Sequence, residues 1–273
     1  MASEAPEPAT RLARGLVAID IGNSRIKLGL FTTIPGAGLP TPDRSLSLER
    51  WDGGRVQQWL TAADSPASPA QVDWRVCSVN RPAEASALQW LASREEQVER
   101  LAAEGLPLAI EVERPDLVGM DRLASAIGAN RLRRPTSAAI VIDVGSAITV
   151  DLIKPNGAFA GGAILPGIVM SARALHDYTD LLPLVPMSEL GVPPPALGVS
   201  TIPAMRSGLF WGAVGAMREL VSRLGAGLPA PQVFLTGGAA PAVASLLSNE
   251  AGEPAAYVPH LTLGGVALAS PLP

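Results

Sequence analysis

The chain has 273 residues, a formal net charge of −4 at pH 7, 48% hydrophobic residues and 17% charged residues. This apolar content excludes an intrinsically disordered chain, because burial of apolar side chains can offset the entropy lost on folding. The acidic balance and the lack of a basic stripe argue against nucleic acid as a partner. The single cysteine, Cys77, excludes a disulfide framework and a cysteine-rich zinc site. Any bound metal is therefore expected to have oxygen ligands, as magnesium and monovalent cations do.

Apolar stretches of the sequence are too short for a membrane span. A bilayer-spanning helix needs roughly 18 apolar residues, and the longest candidate, residues 138–153, is interrupted by Asp143 and Asp151. Residues 1–14 are rich in Ala, Glu and Pro without an apolar segment, which predicts a flexible tail and not a signal peptide. We therefore expect a cytoplasmic protein with no membrane partner.

Residues up to 134 alternate predicted strands and helices, as an α/β fold does. In chain order the predictions are a strand at 16–19, a strand at 27–31, a loop at 32–48, a helix at 56–63, a strand at 72–79, a helix at 82–105, a strand at 108–112 and a helix at 119–131. Pro135 is expected to end the last of these helices.

The remainder of the chain continues in the same manner. The predictions are strands at 138–142, 149–153 and 161–165, a helix at 168–181, a Pro-rich loop at 185–197, a helix at 203–224 and a strand at 232–236. The long helix carries Gly208, Gly212 and Gly215 at helical spacing, which permits close packing of a neighbouring helix.

One short pattern occurs twice, about half the chain apart. Residues 17–23 (VAIDIGN) and residues 140–146 (IVIDVGS) both contain three apolar residues, an Asp, an apolar residue, a Gly and a small polar residue. A repeat with so long a period indicates two similar lobes and not a solenoid. We therefore divide the chain into an N-terminal lobe of residues 15–134 and a C-terminal lobe of residues 135–273.

The repeated aspartates, Asp20 and Asp143, stand where apolar strands end. An unpaired buried carboxylate costs roughly several kcal/mol, so each is expected to have a partner, and the turn glycines allow backbone N–H groups to approach an anion. Two such turns facing one cleft would form a phosphate and cation site. The alternative is that both segments are ordinary turns in which local amides satisfy the Asp.

The sequence contains neither a Gly-x4-Gly-Lys-Ser/Thr loop nor a Gly-x-Gly-x-x-Gly fingerprint, which argues against P-loop and Rossmann folds. Two lobes with two Asp-Gly hairpins fit the acetate and sugar kinase/Hsp70/actin type of fold better. That fold has two similar ribonuclease-H-like α/β lobes and a central interlobe cleft.

Five sequence blocks together resemble the motifs of the type III pantothenate kinase family. They are residues 20–27 (DIGNSRIK), residues 119–122 (GMDR), residues 143–149 (DVGSAIT), residues 161–167 (GGAILPG), and Ser200-Thr201 followed by Ser207-Gly208. Each block alone has low specificity, whereas five in the family's order, spread over residues 16–268, make the resemblance specific.

The resemblance implies an enzyme that uses ATP to phosphorylate pantothenate to 4′-phosphopantothenate, the first step of coenzyme A biosynthesis. It also implies magnesium bound with the ATP, a monovalent cation that is potassium or ammonium, and a homodimer.

The same resemblance assigns the first hairpin to ATP. The residues concerned are Asp20, Ile21, Gly22, Asn23, Ser24, Arg25, Ile26 and Lys27. Asn23 and the turn amides would donate hydrogen bonds to the phosphates, Lys27 would supply a positive charge, and Asp20 would hold magnesium through water. Ser146 stands at the family's ATP-contacting Thr, and Asp143 looks like its monovalent-cation ligand. Without the resemblance, Lys27 is equally well a solvated strand residue.

Substrate binding and catalysis are implied for the second block. The resemblance makes Asp121 the general base that accepts the proton of the pantothenate hydroxyl. Gly119, Met120, Arg122 and Thr201 are assigned, with Asp121, to substrate binding. Two structural alternatives stay open, because Asp is also favoured in the first turn of a helix and Thr201 could be a helix N-cap.

The sequence departs from the family pattern at several positions. Ser24 and Ser146 replace Thr, Ser125 replaces an Asn that often follows the Gly-x-Asp-Arg motif, and no aromatic residue occurs between Trp90 and Gly119, where a Tyr is expected. Two other functions therefore stay open. One is a kinase of another small alcohol on the same fold, and the other is a non-catalytic accessory or regulatory homologue.

Overall fold

Two compact units make up the chain. The computed structural model describes residues 9–62, 72–186, 192–248 and 252–270. One unit comprises Met1–Leu132 together with His260–Pro273, and the other comprises Arg133–Pro259. Each contains a five-stranded mixed sheet.

In its described residues, the first unit combines one sheet with four α-helices. Its strands are β1 (Thr10–Ile21), β2 (Ile26–Ile34), β3 (Arg44–Leu48), β4 (Val72–Ser78) and β5 (Val98–Arg100). Its helices are α1 (Gly53–Thr61), α2 (Arg81–Ala92), α3 (Met120–Leu132) and α6 (Leu261–Leu268), with 3₁₀ turns at Ala103–Gly105 and Pro115–Leu117. The strand order is β3-β2-β1-β4-β5, in which β1 pairs antiparallel with β2 and parallel with β4.

The central strand β1 is buried on both faces, as the continuous apolar run in its sequence predicts. Val17 and Ile19 pack in a cluster with Trp74 on one face. Leu16 and Ala18 pack on the other face, in a cluster that includes residues of α3 and α6. Since strand side chains alternate, Asp20 lies on the α3 and α6 face.

Helices α3 and α6 approach each other unusually closely. A Cβ atom at Gly265 of α6 would overlap the carbonyl oxygen of Ala124, and one at Gly128 of α3 would lie 2.6 Å from the carbonyl oxygen of Leu261. Only glycine permits two helix backbones to come this near. The C-terminal helix, which no sequence pattern predicts, therefore supports α3.

The second unit repeats the strand arrangement of the first. Its strands are β6 (Ala139–Val144), β7 (Ala147–Ile153), β8 (Phe159–Pro166), β9 (Gln232–Thr236) and β10 (Ala256–Tyr257). Its helices are α4 (Ile168–Asp177) and α5 (Thr201–Gly225), with 3₁₀ turns at Ala240–Ala242 and Ala244–Leu246. The order is β10-β9-β6-β7-β8, and the central β6 pairs antiparallel with β7 and parallel with β9. Thus β1–β2 and β6–β7, the two hairpins with the repeated sequence pattern, hold equivalent places in their sheets.

Several predicted elements need correction. The loop predicted at residues 32–48 instead contains the end of β2 and all of β3, whose alternating burial suits an edge strand. The helix predicted at 82–105 ends at Ala92, because the polar segment after it carries Glu95 with a positive φ of 56°. The strand predicted at 108–112 is not formed, and α4 ends at Asp177, short of residue 181.

The unit boundaries also differ in part from the expected lobes. The first division, after Leu132, lies close to the expected boundary at residues 134 and 135. However, β1 begins at Thr10, within the expected tail, whose residues 1–8 lie outside the described residues. His260–Pro273 group with the first unit and not with the expected C-terminal lobe, because α6 packs against α3 and β1. Residues 187–191 of the expected Pro-rich loop also lie outside the described residues.

Across the ranges that the structure describes, no helix has both the length and the apolar character that a bilayer span requires.

Candidate functional site

The turn between β1 and β2 carries the first sequence motif. The amide of Gly22 donates to the carbonyl oxygen of Arg25 at 3.0 Å and closes the end of the hairpin. Between them, Asn23 and Ser24 are exposed. An exposed, tight turn with polar side chains offers amide and side-chain donors to an anion.

Asp20 and Lys27 face each other across this hairpin, as the strand register pairs them directly. Asp20 Oδ2 lies 3.7 Å from Lys27 Nζ, and the two side chains are 9% and 35% exposed. The ammonium offsets part of the cost of burying the carboxylate. Lys27 is therefore not merely a solvated strand residue, and the pair sets one positive and one negative charge beneath the turn.

Asp121 lies in the first turn of α3. Its Oδ1 accepts a hydrogen bond from the amide of Arg122 at 2.8 Å, and a Cβ atom at Gly119 would lie 2.6 Å from the same oxygen. The carboxylate thus folds back over the backbone of Gly119. Burial raises the pKa of Asp121, while the amide and guanidinium of Arg122 and the ammonium of Lys27 act to lower it. A carboxylate with a raised pKa is a stronger proton acceptor.

Electrostatic interactions join these groups into one cluster. Lys27 acts on the pKa of Asp121, and the charges of Asp20 and Asp121 both add to the effect of burial in raising the pKa of Cys77. Cys77 is fully buried on β4, where it pairs with Asp20 and packs in the core. The first unit therefore brings together Asp20 and Lys27, from one hairpin, and Asp121, from a segment about 100 residues later in the sequence.

His260 adjoins the same cluster, although no sequence motif assigns it a role. It is the residue that precedes α6, and burial lowers its pKa, with a further lowering from the charge of Lys27. No local motif marks His260, since its position depends on how α6 returns to the first unit. Only the tertiary packing of the C-terminal segment could have indicated it.

The second hairpin places Asp143 at the end of β6. Asp143 pairs with Thr149 on β7 and with Thr236 on β9, and it is half-buried. The carbonyl oxygen of Ser146 accepts a hydrogen bond from the amide of Gly167 at 3.0 Å, which ties this turn to the start of α4. Asp143 and Ser146, both predicted site residues, thus lie in one hairpin of the second unit.

Atoms of Asp143 and Val144 lie close to Gly237, directly after β9. A Cβ atom there would overlap Asp143 Oδ1 and lie 2.5 Å from the carbonyl oxygen and 2.6 Å from the amide nitrogen of Val144. Gly237 also has a φ of +100°, a conformation that side chains strongly disfavour. Glycine at this position leaves room for a carboxylate and a carbonyl oxygen to converge.

Thr201 is the first residue of α5 and is exposed. The N-cap of this helix is Ser200, so the interpretation of Thr201 as the capping residue is wrong. Its hydroxyl is therefore not assigned to capping.

Among the described residues, no group of three or more His, Cys, Asp or Glu side chains is placed to bind a metal ion. Each candidate cation site instead offers one carboxylate, Asp20 in the first unit and Asp143 in the second. One carboxylate suits magnesium, which commonly keeps water ligands and takes others from phosphates. A carboxylate near carbonyl oxygens suits a hard monovalent cation.

Comparison with known proteins identifies a family. The family model of type III pantothenate kinase matches residues 16–223. The type III pantothenate kinase of Paramagnetospirillum magneticum is 34% identical over 233 residues, which are 83% of this chain and 86% of that protein. That of Dehalococcoides mccartyi is 33% identical over 267 residues, 92% of this chain and 93% of that protein. The type III pantothenate kinase of Acidiphilium cryptum is 41% identical over 169 residues, which are 60% of this chain and 60% of that protein.

A solved structure supports the fold independently. A protein of Sinorhizobium meliloti described as a 2-dehydro-3-deoxygalactonokinase superposes with a TM-score of 0.55 and 14% identity, over 92% of this chain and 97% of that chain. At this identity the likeness concerns the fold alone. Together with the two equivalent sheets, it confirms the two-lobed α/β fold of the acetate and sugar kinase/Hsp70/actin type.

Proposed function

The chain belongs to the type III pantothenate kinase family, and from this we propose that it transfers the γ-phosphoryl group of ATP to pantothenate. The product would be 4′-phosphopantothenate, and the reaction would be the first step of coenzyme A biosynthesis. The observation that carries the proposal is the clustering of Asp20, Lys27 and Asp121 in one unit, at positions that match the family motifs.

ATP is assigned to the hairpin of β1 and β2. Phosphoryl transfer depends on positioning and on neutralisation of charge more than on covalent chemistry by the protein. The exposed turn, through its amides and Asn23, would donate hydrogen bonds to the phosphates, and the ammonium of Lys27 would offset their charge. Magnesium bound with ATP supplies further neutralisation, and Asp20 would hold it through water. The short distance between Asp20 and Lys27 keeps both groups oriented toward the same region.

Asp121 is assigned the role of general base. Its carboxylate would accept the proton of the primary hydroxyl of pantothenate while that oxygen bonds to the γ-phosphorus and the bond to ADP breaks. Burial of Asp121 supports this role, because the raised pKa strengthens the base. Gly119, Met120 and Arg122 would bind the substrate beside it, with the guanidinium of Arg122 on a substrate oxygen or on the phosphoryl group.

In the second unit, Asp143 is assigned to a monovalent cation, either potassium or ammonium. The converging oxygens of Asp143 and Val144 support this assignment. The hydroxyl of Ser146 is assigned to ATP and that of Thr201 to pantothenate.

The proposed function is tested by ADP release with pantothenate and with a panel of other small alcohols. We expect release with pantothenate above the rate of ATP hydrolysis without an acceptor. Release with a different alcohol only would establish a kinase of another acceptor. The absence of release from folded protein with every acceptor would favour an accessory or regulatory homologue.

Monovalent cations are expected to control the rate. Replacing potassium by sodium should lower ADP release by roughly tenfold, equivalent to about 1.4 kcal/mol of transition-state stabilisation, because the ions differ in size. Asp143→Asn should have a low rate in both salts and lose the difference between them. Assays in potassium, ammonium and sodium buffers check this, with thermal unfolding of the variant as control. Equal wild-type rates in all three salts would contradict the assignment.

Gly119→Ala is expected to reduce kcat without reducing stability. The new methyl group would collide with the end of the Asp121 side chain, which can turn away at little cost. A displacement of about 1 Å in a catalytic group can cost up to about 100-fold in rate, while the unfolding midpoint should stay within about 2 °C. Gly105→Ala is the matched control, since a Cβ there would meet no atom within 4 Å in the described chain. Equal kcat values for Gly119→Ala and Gly105→Ala would refute the placement of the Asp121 carboxylate over Gly119.

A homodimer and a cytoplasmic location complete the proposal. On α5, Cβ atoms at Gly208, Gly212 and Gly215 would meet nothing within 4 Å among the described residues, so no described helix packs closely against these glycines. This row supports contact with a second copy, and sedimentation equilibrium of the purified protein tests it. A monomer at micromolar concentration would remove the dimer from the proposal.

A further inference from the structure

We infer that Thr262, on the C-terminal helix α6, is a positioning residue for Asp121 and acts through a buried hydrogen bond to Ser125. The inference rests on the proposed role of Asp121 as the base. It assigns to the C-terminal helix a part in placing the reacting groups, in addition to its part in the core.

The hydrogen bond joins two buried hydroxyl groups. Ser125 Oγ lies 3.0 Å from Thr262 Oγ1, and the two residues are 3% and 4% exposed. Ser125 follows Asp121 by four residues on α3, and residues with this spacing lie on one face of a helix. The bond therefore fixes the rotation of α3 about its own axis one turn away from the carboxylate.

The contacts on either side of this hydrogen bond are close approaches of the two helix backbones. Around Ser125 and Thr262 the two backbones meet at Gly265 against Ala124 and at Gly128 against Leu261. Glycine offers no side chain that interlocks with the facing helix, so these contacts set the distance between α3 and α6 but constrain rotation weakly. The hydroxyl pair supplies the angular constraint.

The far end of α6 is anchored to the sheet. Arg75 on β4 is 3% exposed, and its Nη1 donates to the carbonyl oxygens of Ala267 at 2.8 Å and Val266 at 3.4 Å. Its Nε donates to Glu99 at 2.7 Å, which balances the buried charge. A cation at the C-terminal carbonyls of a helix is stabilising. Because β4 lies next to β1, Arg75 ties α6 to the same sheet that carries Asp20.

These contacts connect the sheet that carries the β1–β2 hairpin to α3, the helix that carries Asp121. The sheet holds α6 through Arg75, and α6 holds α3 through Thr262 and Ser125. Loss of the Thr262 hydroxyl should let the first turn of α3 rotate, which would move the Asp121 carboxylate and expose it to water. The distance between Asp121 and the Lys27 ammonium would then vary.

The test compares Thr262→Val with Thr262→Ser. Valine keeps the shape but removes the hydroxyl, and we expect kcat to fall about tenfold while both KM values stay within about twofold. Its acid limb of kcat should move to lower pH, because a hydrated Asp121 loses the increase in pKa that burial causes. Serine keeps the hydroxyl and should restore the wild-type kcat and pH profile.

A hydroxyl removed elsewhere in the first unit gives the control. Ser86→Ala loses a hydrogen bond from an exposed Ser on α2 to the carbonyl oxygen of Pro82 and should leave kcat and the pH profile unchanged. Wild-type kcat and pH profile in Thr262→Val would overturn the inference, as would an equal loss in Thr262→Ser. If Thr262→Val does not fold, the double variant Ser125→Ala/Thr262→Val leaves no hydroxyl unpaired and should show the same loss of kcat. Wild-type kcat in the double variant would also overturn the inference.

Amide hydrogen exchange separates this inference from the proposed function. A wild-type protein without ADP release would refute the function, and the exchange of residues 120–124 would then decide the positioning role alone. Faster exchange there in Thr262→Val than in wild type supports the inference, and equal exchange refutes it.

Discussion

Asp121→Asn is expected to lower kcat by about 10²- to 10⁴-fold, the range that general base catalysis usually contributes. Asparagine has nearly the same shape, and its side-chain oxygen can still accept the hydrogen bond that the Arg122 amide donates. It cannot take a proton from the substrate hydroxyl, so the loss should fall on kcat more than on the KM for ATP. Steady-state ADP release with both substrates varied measures the division between these constants.

The pH dependence gives an independent signature. Burial raises the pKa of Asp121 above its ordinary value of 3.8, and the base works only when it is ionised. The wild-type rate should therefore fall as pH falls through the raised pKa, and Asp121→Asn should lack this acid limb. Because the folded-state pKa is raised, the folded state binds the proton more tightly than the unfolded state does, and stability decreases as pH rises through that value. At neutral pH the asparagine variant should thus be at least as stable as wild type.

An exposed carboxylate nearby supplies the control. Asp116 pairs with the guanidinium of Arg114 at the surface, with Oδ2 2.6 Å from Nη2, and surface pairs of this kind contribute little to stability. Asp116→Asn should retain kcat. A kcat for Asp121→Asn within a few-fold of wild type would refute Asp121 as the base. A large loss of kcat in Asp116→Asn as well would show that removal of a negative charge, and not loss of the base, lowers kcat.

The hairpins of the candidate site could be predicted because local sequence determines them. An apolar run, an Asp and a turn glycine specify a strand that ends in a tight turn, and the repeat located both copies. Once the hairpin is known, its register brings Lys27 opposite Asp20 without further information. Asp121 needed the resemblance as well, because an Asp in the first turn of a helix has an ordinary structural explanation.

Helix α6, which packs against the helix of Asp121, could not be predicted from the sequence, and the reason is physical. The segment at residues 261–268, LTLGGVAL, is apolar on all sides and contains adjacent glycines, so it has neither amphipathic periodicity nor high helix propensity. Tertiary packing against α3 and β1 stabilises the helix. Likewise, the Pro and Gly residues before β3 favoured the prediction of a loop, whereas this short edge strand forms by pairing with β2.

Gly265→Ala is expected to destabilise the first unit by about 3 kcal/mol, at the upper end of the usual cost of overpacking. The added methyl group would overlap the carbonyl oxygen of Ala124, lie 2.6 Å from its carbonyl carbon and 3.1 Å from the amide nitrogen of Gly128. All three are backbone atoms of α3, so one helix must move. Helix propensity alone predicts the opposite sign, since Ala is favoured over Gly by about 1 kcal/mol.

The neighbouring Gly264→Ala separates these effects within one helix. There the nearest atom would be Leu39 Cδ1 at 2.6 Å, the end of a flexible side chain, and the nearest backbone atom would be the carbonyl oxygen of Pro40 at 2.9 Å. We therefore expect a smaller loss than for Gly265→Ala. Urea unfolding followed by tryptophan fluorescence measures both, because Trp74 and Trp90 report on the first unit. If Gly265→Ala were as stable as wild type, α6 could not lie against α3 as closely as described, and the link from Thr262 to Asp121 would lose its structural basis.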